Sequence, residues 1–64
     1  MDELLTLDEA ARLMRQPAAT LRYWRHIGKG PRSAKLGSRI FYKKGECVAY
    51  VEAQFEDDAR RVVA

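Results

Sequence analysis

The chain has 64 residues, 47% of them hydrophobic, and a formal net charge of +3; this leaves room for one small domain that buries only about 60% of its unfolded surface, and it excludes a disordered composition. The longest apolar runs are a few residues, so no segment is expected to span a bilayer, and no charged-then-apolar leader of the secretory kind is read. One cysteine, Cys47, and one histidine, His26, cannot form an internal disulfide or supply the roughly four spaced ligands of a zinc site, so a reducing compartment is expected and no metal or cofactor.

Thr6, Leu7, Asp8 and Glu9 read as a capping box, in which the Thr6 hydroxyl accepts the Glu9 amide and the Glu9 carboxylate accepts the Thr6 amide. The spacing of Leu7, Ala10, Ala11 and Met14, with Leu13 beside them, predicts an amphipathic first helix that stops at Gln16 and Pro17. Proline disfavours helix in the residue before it but opens one well, so a second helix is predicted from Pro17. Ala18, Leu21 and Trp24 form its inward stripe, and Gly28 closes it after Ile27. Ala19, Arg22, Tyr23 and His26 then project to the opposite side, at about 100° per residue. That face offers guanidinium, phenol and imidazole groups, with a small residue that lets the helix approach a groove, where Arg can read guanine bidentately.

Gly28, Lys29, Gly30 and Pro31 break the chain. Ser33 to Leu36 and Arg39 to Tyr42 read as two short strands joined by Gly37 and Ser38, with Gly at the first central position as a type II′ hairpin requires. Cys47, Tyr50, Val51, Gln54 and Phe55 recur with helical spacing and predict a third helix, whose first turn is expected to fray at Gly45. Residues 1–55 thus make the domain, and 56–64, where Glu56, Asp57 and Asp58 precede Arg60 and Arg61, read as a helix extension or a tail.

The charge is strongly segregated. Between Glu9 and Glu46 there is no acidic residue, and that stretch holds ten of the twelve Lys and Arg. Such a one-signed field attracts a polyanion, because clustered cations neutralise phosphates and release counterions.

Leu5, Thr6, Leu7, Asp8, Glu9, Ala10, Ala11, then Thr20, Leu21, Arg22, Tyr23, Trp24, then Gly28, Lys29, Gly30, Pro31 closely resemble the excisionase-like branch of the MerR-type winged-helix proteins. Leu36, Gly37, Ser38, Arg39 and Ala49, Tyr50, Val51 continue the resemblance, which covers about residues 4 to 54. It implies a mainly α fold with a small β-hairpin, a winged helix-turn-helix of helix-turn-helix, two-stranded wing and third helix. It further implies a second helix in the major groove of double-stranded DNA, through Ala19, Thr20, Arg22, Tyr23 and His26, and a wing in the adjacent minor groove, through Lys35, Ser38 and Arg39. Arg25, Lys29, Arg32, Lys43 and Lys44 are expected on the DNA backbone, with the Arg25 stem packed and its head on a phosphate. Two departures from the resembled pattern concern stability: Gln16 stands where a Ser usually precedes the second helix, and Lys44 with Gly45 replaces the usual Ser and Asp cap of the third.

The resemblance points to an excisionase, a recombination directionality factor with no chemistry of its own, binding adjacent sites, bending DNA and steering a partner integrase toward excision in a bacterial host cytoplasm. Head-to-tail self-association is expected, the acidic carboxy-terminal region of one molecule meeting the basic middle of the next; no small-molecule effector and no membrane partner are expected. The alternatives are a small transcription regulator of the AlpA type on a promoter operator, and a protein-interaction module with a basic docking face. Trp24 and Cys47 read as core residues, and a lone His26 without a nucleophile or orienting carboxylate makes no catalytic unit.

Overall fold

The computed structural model describes residues 2–61. The capping box forms as the sequence predicts: the Glu9 amide donates to Thr6 Oγ1 (3.1 Å) and the Thr6 amide to Glu9 Oε1 (2.8 Å). It starts α1 (Leu7–Met14), whose buried side is Leu7, Ala10, Ala11 and Met14. Arg15 ends the helix in the left-handed conformation (φ 55°) and the Gln16 amide donates to the Ala11 carbonyl at 2.9 Å, closing the turn at a position where glycine is the usual occupant. Pro17, extended, is the cap residue of α2 (Ala18–His26) rather than its first residue. The ring has no side-chain acceptor to offer, so α2 starts without a side-chain cap. Leu21 is wholly buried at the centre of the core.

β2 (Ser33–Leu36) and β3 (Arg39–Lys43) make the hairpin, with Leu36 opposite Arg39. Gly37 sits at φ 64° and Ser38 keeps a negative φ, the combination a type II′ turn needs. The sheet nevertheless has three strands, not two. Leu4–Thr6 forms β1, antiparallel to β3, giving the order β1-β3-β2 with Leu5 opposite Tyr42. Leu5 and Tyr42 are buried, while the outer face exposes Leu4 and Leu36, about half of each. The architecture is a winged helix-turn-helix in which the wing is also stitched to the chain's start.

α3 (Lys44–Arg61) is continuous, so the segment from Glu56 to Arg61 extends the helix; Val62 to Ala64 lie outside the described residues. Its inward side is Cys47, Tyr50 and Val51. Gln54 and Phe55, which the periodicity places on that side, are exposed, Phe55 by 72%, because the helix has run past the body it packs on by that point. Its first turn is not left to fray. The Asp2 carboxylate accepts the Gly45 amide at 3.0 and 3.1 Å, and the Lys44 amide donates to the Glu3 carbonyl at 2.8 Å, so the cap comes from the other end of the chain. A Cβ on residue 45 would lie 2.7 Å from Asp2 Oδ2, which is why glycine suits this position. Asp2→Ala is expected to cost about 1 kcal/mol. Gly45→Ala is expected to bring no gain in the native background but to stabilise the Asp2→Ala variant by up to about 1 kcal/mol. Urea unfolding of both single variants and the double variant checks this coupling.

Trp24 is half-buried against the core, tilted on Tyr50 at 5.7 Å between ring centroids. The Gly28–Gly30 loop wraps its indole: the Lys29 amide donates to the Trp24 carbonyl at 2.7 Å, Lys29 Nζ lies 5.9 Å from the ring centroid, and Gly30, at φ 86°, passes so close that a Cβ would stand 3.1 Å from the ring. Burial raises the Tyr42 phenol above its ordinary pKa, partly offset by the Ser33 hydroxyl and Arg25, and burial also raises the Cys47 thiol, helped by Asp2 and Glu46. As pH rises, the unfolded chain releases these protons before the native state does, so stability is unaffected below the unfolded-state values and falls as pH climbs through and above them, from about pH 8.5 upward. Urea midpoints should therefore drop between pH 7 and pH 10.5, and less so in Tyr42→Phe.

Candidate nucleic-acid interface

The inward stripe of α2 fixes what its other side presents. With Leu21 buried and Ala18 and Trp24 packed on the core, Ala19, Arg22, Tyr23 and His26 are all exposed, Tyr23 by 61%, and Thr20 is half-buried. The face carries no acidic group. The helix also lacks an acid in its first turn, so nothing on α2 offsets the guanidinium field.

The hairpin brings a second cation to the same place. Arg22 from α2 and Ser38, Arg39 and Ile40 from the wing line one groove of about 480 Å³. Its remaining wall is the start of α1, through Thr6, Leu7 and Asp8. Neither Arg22 nor Arg39 has an ion-pair partner among the described residues. Their charges are thus uncompensated and held by two rigid elements around one concavity, which is an arrangement suited to polyanion recognition.

The other cations divide. Lys35 and Lys43 are exposed strand residues, Lys29 is exposed beside Trp24, and Arg25 is half-buried, consistent with a packed stem. Arg32 pairs with Glu46 at 3.3 Å and Lys44 with Glu3 at 3.7 Å, so these two carry part of their charge balance already, although such exposed pairs are worth little in stability. Sequence reasoning missed the α1 wall of the groove. The capping box marks where α1 starts, but nothing local says that its first turn faces the wing.

No helix among the described residues is long and apolar enough to cross a membrane. A family model described as a helix-turn-helix domain matches residues 4–54. No curated protein and no solved structure matches the chain.

Proposed function

The chain belongs to the helix-turn-helix domain family of excisionase- and AlpA-like DNA-binding proteins, and we propose that within it this protein is an excisionase, an architectural factor without catalysis of its own that steers a partner integrase toward excision. The observation that carries the DNA-contacting part is the shared groove, where Arg22 of α2 and Arg39 of the wing stand unpaired. In this reading α2 lies in the major groove, with Ala19 allowing close approach and Arg22, Tyr23 and His26 toward base edges and phosphates. Lys35, Ser38 and Arg39 follow the wing into the minor groove. Gripping both grooves at neighbouring sites offsets an elastic cost of about 1–6 kcal/mol for a bend of about 40–90°.

Head-to-tail association is the second part of the proposal. The distal half of α3 is exposed and carries Glu52, Glu56, Asp57 and Asp58 around Phe55. The outer sheet face offers an apolar recess of about 390 Å³ between Leu4, Leu36 and Phe41, flanked by Lys43 and by the Arg32–Glu46 pair. Phe55 and the recess match in apolar character, with Lys43, unpaired among the described residues, the cation at the recess edge to meet the acidic groups, and both sit on one molecule at separated places, which is the condition for an open, heterologous chain. Sedimentation on DNA carrying one or two sites tests this: Phe55→Ala should leave single-site binding unchanged and remove the gain from the second site, whereas strictly independent site occupancy in the native protein contradicts it.

The role itself is tested by integrase-dependent excision on attachment-site DNA. Stimulation by the native protein and loss with Arg22→Ala support an excisionase. Binding to one promoter operator, with excision unaffected, supports the regulator reading instead.

A further inference from the structure

In B-form DNA a single sugar-phosphate strand separates each major groove from the adjacent minor groove, so a helix in the first and a hairpin in the second must straddle that strand. The concavity between α2 and the wing is where the strand runs in such a complex, and its lining suits a phosphate. Arg22 stands on the α2 side and Arg39 on the wing side, both exposed and neither with an ion-pair partner among the described residues. Ser38, exposed beside Arg39, adds a hydroxyl donor. Asp8 is the one acidic group in the lining, so two guanidiniums against one carboxylate leave the groove net positive. A guanidinium holds a phosphate with a planar fork of charge-assisted hydrogen bonds, whatever base the nucleotide carries. We propose that Arg22 and Arg39 form a clamp on the one phosphodiester strand between the two grooves, Arg22 from its major-groove side and Arg39 from its minor-groove side, setting the register of the protein without reading sequence. This rests on the DNA-binding reading above. Base discrimination by α2 then falls to Ala19, Tyr23 and His26, the other exposed groups of that face, since phosphate contacts position a protein and base-edge contacts specify.

The test uses the duplex that the native protein selects from a randomised pool at about 0.15 M salt, with one phosphate at a time replaced by an uncharged methylphosphonate. Among the replacements that weaken native binding, one, or two consecutive ones on the same strand, should cost about tenfold in affinity. That loss should shrink to about threefold or less in both Arg22→Ala and Arg39→Ala and vanish in the double variant, while losses elsewhere on the duplex stay as they were. Each single variant should also keep the native base preferences and lower the salt slope by about one. Arginines that couple to phosphates on opposite strands, or a methylphosphonate profile identical in native protein and variants, overturn the clamp. Loss of base preference at one position in Arg22→Ala overturns it too. Native protein that selects no duplex overturns the DNA-binding reading itself, and far-UV circular dichroism confirms that each variant is folded.

Discussion

Leu21→Ala is expected to destabilise the domain by about 2–5 kcal/mol and to leave it largely unfolded at 37 °C. Leu21 is 0% exposed and is the side chain of α2 that is wholly buried in the core, where α1, the sheet and α3 meet. A domain this small draws about 3–5 kcal/mol at most from its core, so removing one central leucine cancels most of the margin. The surrounding residues have little freedom to collapse, because Ala10, Ala11 and Cys47 are small, nearly or fully buried and sit on helices that are fixed elsewhere. Thermal unfolding followed by far-UV circular dichroism checks this. Phe55→Ala, at a site 72% exposed, should by contrast shift stability by no more than about 0.5 kcal/mol.

Arg22→Ala and Arg39→Ala are expected to cost about 1–3 kcal/mol each in affinity for the specific duplex, that is, about 5- to 150-fold. Each removes an uncompensated guanidinium from one side of the shared groove. The two modes of action separate experimentally. A base-reading arginine loses discrimination at one position, whereas a phosphate-binding one weakens all sequences alike and lowers the salt slope by about one. Because both side chains face one concavity, the double variant should fall short of the sum of the single losses if they grip a single feature of the DNA. Arg32→Ala should cost less, since Glu46 already offsets part of that charge. Equilibrium binding at two salt concentrations measures all three.

What the sequence made legible was local. Thr6 and Glu9 signal their own helix start, the Ala18, Leu21, Trp24 spacing assigns the faces of α2, and Gly37 marks the hairpin turn, because each of these is decided within one or two turns of chain. What it hid was long-range. β1 is only Leu4 to Thr6 and pairs with residues near Lys43, so neither propensity nor alternation could reveal it. The Asp2 cap of α3 spans 43 residues and compensates for Lys44 and Gly45, which looked like a weak start. Phe55 was misplaced because periodicity names the face a residue occupies but not whether another element covers it. The candidate interface shows the same division: its α2 and wing residues could be named from their own elements, while the α1 wall with Asp8 exists only through tertiary placement.

In the proposed function the outward face of α2 and the wing tip meet DNA together. Amide chemical-shift mapping of the ¹⁵N-labelled protein, titrated with its selected duplex at about 0.15 M salt, tests it most directly. Large perturbations are expected at Ala19, Arg22, Tyr23, His26, Ser38 and Arg39, with the distal half of α3 unmoved at one protein per site. Perturbations centred on the outer sheet face or on α3, with α2 silent, would contradict it.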